Sequence, residues 1–100
     1  MTITIRPEEI KILKQAITTW GAALQQIVAI EEMAELTKEL CKLRRNSIGP
    51  KNYSAVIDEI ADVQIMIWQL AEMFGSDNVQ SRVEKKIYSL AIILRDKEDK

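Results

Sequence analysis

Residues 55–75, AVIDEIADVQIMIWQLAEMFG, decide the fold. Twenty positions without proline or internal glycine, closed by Gly75, read as one helix with a glycine stop, and Ser54 stands where an N-cap belongs. From Val63 to Phe74 this helix is apolar over most of its circumference, broken only by Gln64, Gln69 and Glu72. A helix apolar nearly all round is buried on more than one side. Its first half differs. Asp58, Glu59 and Asp62 lie on the helical wheel among Ile65, Met66, Met73 and, at the margin, Leu70, so carboxylates emerge from apolar surface. Such a group must be paired, protonated or metal-bound, because desolvating a lone carboxylate costs several kcal/mol in order of magnitude. No lysine or arginine occurs between Lys51 and Arg82, which leaves a divalent cation as the simplest neutraliser.

Working outward, Pro7 with Glu8 and Glu9 opens a first helix that runs to about Trp20 on the stripe Ile10, Leu13, Ile17 and Trp20, and Gly21 ends it. A second helix follows to about Arg45. NSIGPKNYS, residues 46–54, gathers turn formers and reads as the one clear loop. A fourth helix, capped by Ser76 or Asp77, carries Val79, Val83, Ile87, Leu90, Ala91 and Leu94 on one face, and the tail RDKEDK is expected to fray. The only strand candidate is MTITI. The expectation is an all-α, four-helix bundle forming a single domain over residues 1–100.

Composition narrows the chemistry. Fourteen Lys and Arg against 15 Asp and Glu give a net charge of -1 in 100 residues, so the chain as a whole has no attraction for nucleic acid. There is no histidine, which removes imidazole triads, imidazole zinc sites and Glu-x-x-His di-iron sites. Cys41 is the single cysteine and supports neither a disulfide nor a thiolate metal site within one chain. Glycines at 21, 49 and 75 are too far apart for a phosphate-cradling loop. The chain begins without a signal-peptide core and has no apolar run of membrane-spanning length, so a cytoplasmic protein with no membrane partner is expected.

Helix two places Ala29, Ile30, Met33, Ala34, Leu36, Leu40 and Cys41 on one arc, and Glu31, Glu32, Glu35, Lys38, Glu39 and Lys42 on the other. Glu32 and Glu35 are three apart, as are Glu59 and Asp62, so each pair presents two oxygen ligands about one turn apart. Facing each other across antiparallel helices, the two pairs make an all-oxygen cage that favours magnesium or manganese over zinc or copper.

EEMAE at 31–35 followed by EIAD at 59–62 resembles the EExxE…ExxD signature of the MazG-like nucleoside triphosphate pyrophosphohydrolases. The wider stretches AIEEMAELTKELCKLRR and IDEIADVQIMIWQL are similar to the small, single-domain phage and prophage type over nearly the whole chain. The resemblance implies a magnesium-dependent hydrolase that cuts (d)NTPs between the α- and β-phosphates, giving (d)NMP and pyrophosphate in nucleotide-pool housecleaning. It implies Glu32, Glu35, Glu59 and Asp62 as metal ligands. Glu31, at the extra acidic position, either orients a ligand or a water or pairs on the surface with Lys38 or Lys42. In the last helix, SRVEKKIYSL lacks the asparagine that many relatives carry. Lys38, Arg82 and Lys86 are the candidates for phosphate, with a solvated basic face as the other reading. Trp20, Gln25 and Gln26 lie where relatives form part of the base site, and core packing accounts for Trp20 and Trp68 equally well. The resemblance also implies a homodimer or homotetramer, with helix three central to the contact. A helical homo-oligomer that binds a nucleotide or protein without turnover is the alternative.

Overall fold

A computed structural model describes residues 4–45 and 50–98. Four α-helices account for them, α1 Pro7–Trp20, α2 Ala22–Arg45, α3 Pro50–Phe74 and α4 Ser76–Glu98, with no strand among the described residues. The all-α expectation holds. Thr4 and Ile5, the described part of MTITI, are not strand, and Asn46–Gly49 lie outside the described residues.

Two expected boundaries move. α3 begins at Pro50, so Ser54 is inside the helix and not its cap. Proline suits a helix's first position because its ring presets φ and that N–H has no intrahelical partner to lose. At the other end, α4 continues through Arg95, Asp96 and Lys97 to Glu98, where basic groups in the last turn complement the helix dipole.

The two glycine junctions are built alike. Gly21 donates its N–H to the Ile17 carbonyl at 2.8 Å and accepts from the Gln25 N–H at 3.1 Å, while Gly75 joins Ala71 at 2.8 Å and Val79 at 3.0 Å. Each closes one helix and opens the next. Their φ values, +92° and +110°, are ones an L side chain rarely adopts. At the start of α1, the Arg6 N–H donates to Glu9 Oε1 at 2.9 Å, which satisfies one free end of the helix.

The chain divides into two compact units, residues 1–70 and 71–100. In the first, the buried apolar residues are Leu13, Ala29, Val56 and Met66, joined by the amides of Gln25 and Gln69. In the second, no residue of α4 is buried. Val79, Val83, Ile87, Leu90 and Leu94, the stripe read from sequence, all lie exposed.

The face α2 turns inward shares only Ala29 and Leu36 with the apolar arc read from sequence. Gln25 and Ala29 are buried, and Glu32, Leu36, Glu39 and Leu43 are half-buried, whereas Ile30, Met33, Ala34, Leu40 and Cys41 are exposed. The inward positions recur at alternating spacings of four and three, one coherent stripe of a helix. Polar groups therefore occupy the inner seam, and an apolar arc is left on the outside.

Candidate functional site

That seam brings the acidic residues together. One carboxylate oxygen from each of Glu32, Glu59 and Asp62 falls within 4.8 Å of the others. Glu32 comes from α2, and Glu59 and Asp62 are one turn apart on α3. Glu32 and Asp62 also line a hollow of about 230 Å³ with Val28, Ile65 and Met66.

Electrostatics bear this out. Burial holds the Glu32 carboxyl above its ordinary range, and a hydrogen bond with Asp62 and the charges of Asp62, Glu59 and Glu35 push it the same way. The Glu59 carboxyl is raised first by desolvation, then by Asp62, Glu35, Glu39 and Asp58. Like charges crowded beside apolar surface disfavour ionisation. Glu59 Oε2 is buried with no hydrogen-bond partner among the described residues, while nearby on α2 Lys42 pairs with Glu39 at 3.3 Å. An all-oxygen donor set with a vacant buried acceptor fits a hard divalent cation.

The other candidates fall in several places. Glu35 is exposed and stands outside the 4.8 Å group, yet close enough to act on both Glu32 and Glu59. Glu31 and Lys38 are exposed on α2. Arg82 and Lys86 are exposed on α4, in the second unit. Trp20 is 60% exposed, so it is not a core residue of this unit, while Trp68 is half-buried and lines an apolar groove with Ile5, Ile12, Leu13 and Ile65. Gln26 is half-buried. Gln25 is buried, and its Nε2 donates to Gln69 Oε1 at 2.8 Å.

Two contributors were missed from sequence. Glu39, which read as surface, adds its charge to the field at Glu59. Gln69 read as an interruption of the apolar band, although its position seven residues from Asp62 puts it on the same helical face. Compared with protein-family models, curated proteins and solved structures, the chain matches none.

Proposed function

We propose that this protein is a magnesium-dependent nucleoside triphosphate pyrophosphohydrolase, with manganese as a possible substitute ion. The observation that carries the reading is the convergence of Glu32, Glu59 and Asp62 within 4.8 Å around an unpartnered Glu59 oxygen. The acidic spacing of the sequence supports it independently, through its similarity to the MazG-like signature.

Glu32, Glu59 and Asp62 would hold the cation, with Glu35 beside them. When bound, the ion supplies neutralisation of phosphate oxygens and acidification of a water. The residues of the chain account for the rest. Burial and crowding beside Asp62, Glu59 and Glu35 raise the Glu32 carboxyl, and a cation there would favour its ionised, ligating form. With no histidine in the chain, a carboxylate is the side chain left to accept a proton from an attacking water, and Glu31 and Glu35 are exposed on α2. Lys38, one turn beyond Glu35, is the basic group of the first unit assigned to phosphate. Trp20 offers an exposed indole for base stacking. Gln26 is assigned to the base through the resemblance alone, and the Gln25 amide is engaged by Gln69.

The working form is a homo-oligomer, dimer or tetramer. Ile30, Met33 and Leu40 on α2, Ile57, Ile60, Ile65, Ile67 and Phe74 on α3, and the whole stripe of α4 are exposed, far more apolar surface than a soluble monomer leaves uncovered. The α4 stripe Val83, Ile87, Leu90, Leu94 has the same 4-3-4 spacing read in either direction. Two antiparallel copies would set Val83 against Leu94 and Ile87 against Leu90, the self-complementarity that a two-fold contact requires.

Pyrophosphate release from a panel of ribo- and deoxynucleoside triphosphates, with magnesium and with EDTA, tests the activity. Magnesium-dependent release is the expected result, and nucleotide binding without release would support the non-catalytic alternative.

A further inference from the structure

The interior of the first unit contains an unusual pair. Gln25 and Gln69 are 5% and 3% exposed, stand 44 residues apart in sequence, and hydrogen-bond to each other at 2.8 Å. Gln69 also directs its Nε2 toward Met66 Sδ at 3.9 Å. Two apolar side chains would fill this place without desolvating any amide. A buried polar pair in an apolar seam does something a pair of leucines cannot, because only one alignment of the helices satisfies both partners.

What that alignment controls can be read from position. Glu32 stands seven residues after Gln25, and Asp62 stands seven residues before Gln69. Seven residues are two helical turns, so in antiparallel helices matching Gln25 with Gln69 also matches Glu32 with Asp62. The same alignment matches Val28 with Met66 and Glu35 with Glu59. The structure agrees at each level: Val28 and Met66 line one hollow with Glu32 and Asp62, a Glu32 oxygen lies within 4.8 Å of one from Asp62, and the charge of Glu35 reaches Glu59. Ala29, 1% exposed between Gln25 and Glu32, has no side chain long enough to define a register by interdigitation. The stretch linking the amides to the acids is unbroken helix on both sides, which carries the alignment over two turns.

We infer that Gln25 and Gln69 form a register lock, a positioning pair that holds α2 against α3 so that Glu32 and Glu35 meet Asp62 and Glu59. This deepens the metal-site reading by naming what aligns its two halves, and it removes Gln25 from the base-contacting set. A slip of one turn would break the Gln25–Gln69 hydrogen bond and carry Glu32 about 5 Å along the seam from Asp62.

The test uses the full chain with both glutamines replaced, Gln25→Leu/Gln69→Leu, and Gln25→Met/Gln69→Met as the unbranched pair should the first not fold. Three quantities are read: metal-free Tm, manganese affinity by electron paramagnetic resonance, and crosslinking between thiols introduced as Glu32→Cys and Asp62→Cys on a Cys41→Ser background, without metal. The lock requires that the folded double variant keep or raise its Tm while manganese affinity and the yield of the 32–62 crosslink each fall at least tenfold. A folded double variant with unchanged crosslink yield overturns the inference. If the parent itself binds no manganese, the metal reading fails, and crosslinking alone decides the register.

Discussion

Replacing Asp62 by asparagine should stabilise the metal-free protein, the reverse of what loss of a hydrogen-bonded polar residue ordinarily does. The oxygens of Glu32 and Asp62 lie within 4.8 Å. Two unit charges at that separation repel by about 3.5 kcal/mol at an effective dielectric of 20, and by about 1 kcal/mol in bulk water. Asp62 is exposed, so solvent screening places the effect near the lower figure, about 1 kcal/mol. The amide keeps the size of the carboxyl and can donate to Glu32, so contact is retained while repulsion is lost. For a chain of this size about 1 kcal/mol corresponds to a rise in Tm of roughly 4–8 °C, compared at one protein concentration because assembly contributes. The pH dependence has a definite sign. Glu32 and Glu59 are raised in the fold, so the stability linked to their protonated forms is complete below the ordinary carboxylate range and is lost as pH rises through the raised values. The parent should therefore weaken over that window, and Asp62→Asn should weaken less. Differential scanning calorimetry from pH 4 to 8 in EDTA, a span of about four units around the carboxylate range, makes the comparison. A variant less stable than the parent near neutral pH, or with the same pH slope, would refute the reasoning.

Manganese at millimolar concentration should raise the Tm of the parent and leave Glu59→Gln unmoved, as followed by thermal melting. In the pyrophosphate-release assay Glu32→Gln, Glu35→Gln, Glu59→Gln and Asp62→Asn should each lower turnover by orders of magnitude with helicity intact by circular dichroism, while Glu8→Gln, in the first turn of α1, should not. Sedimentation at micromolar concentration should return a homo-oligomer, with Ile87→Glu on α4 and Ile67→Glu on α3 each shifting it toward smaller species; a parent of monomer mass would contradict that assembly. Gly75→Ala should cost on the order of 1–2 kcal/mol by denaturant unfolding, because φ is +110° and the new Cβ would meet Asn78 Nδ2 at 3.0 Å.

Helix existence was legible because its signals are local. Pro7 marks the start of α1, Gly21 the junction of α1 and α2, and Gly75 the junction of α3 and α4, and those boundaries hold. Pro50 was misread as a loop residue because the same residue that ends a helix also begins one. The orientation of α2 was not legible. Its apolar arc, Ile30, Met33 and Leu40, wins any single-chain estimate of the buried face, yet it lies outside, and the seam holds Gln25, Glu32 and Glu39. Periodicity reports which face is apolar but not what covers it, and here a second surface competes with the intramolecular one. The acidic cluster was found by spacing within each helix, whereas its reduction to three converging oxygens plus a nearby Glu35 depends on α2–α3 register, a nonlocal quantity. The residues that set this register, Gln25 and Gln69, carry no signal until both are seen to lie two turns from the acids they align.

The most direct test of the central claim is pyrophosphate release from nucleoside triphosphates by the purified parent, measured with magnesium, with EDTA, and with Glu59→Gln under magnesium. The account requires release of pyrophosphate and nucleoside monophosphate in the first condition and its loss in the other two. Release that persists in EDTA, or equally in Glu59→Gln, or no release from any triphosphate, would contradict it.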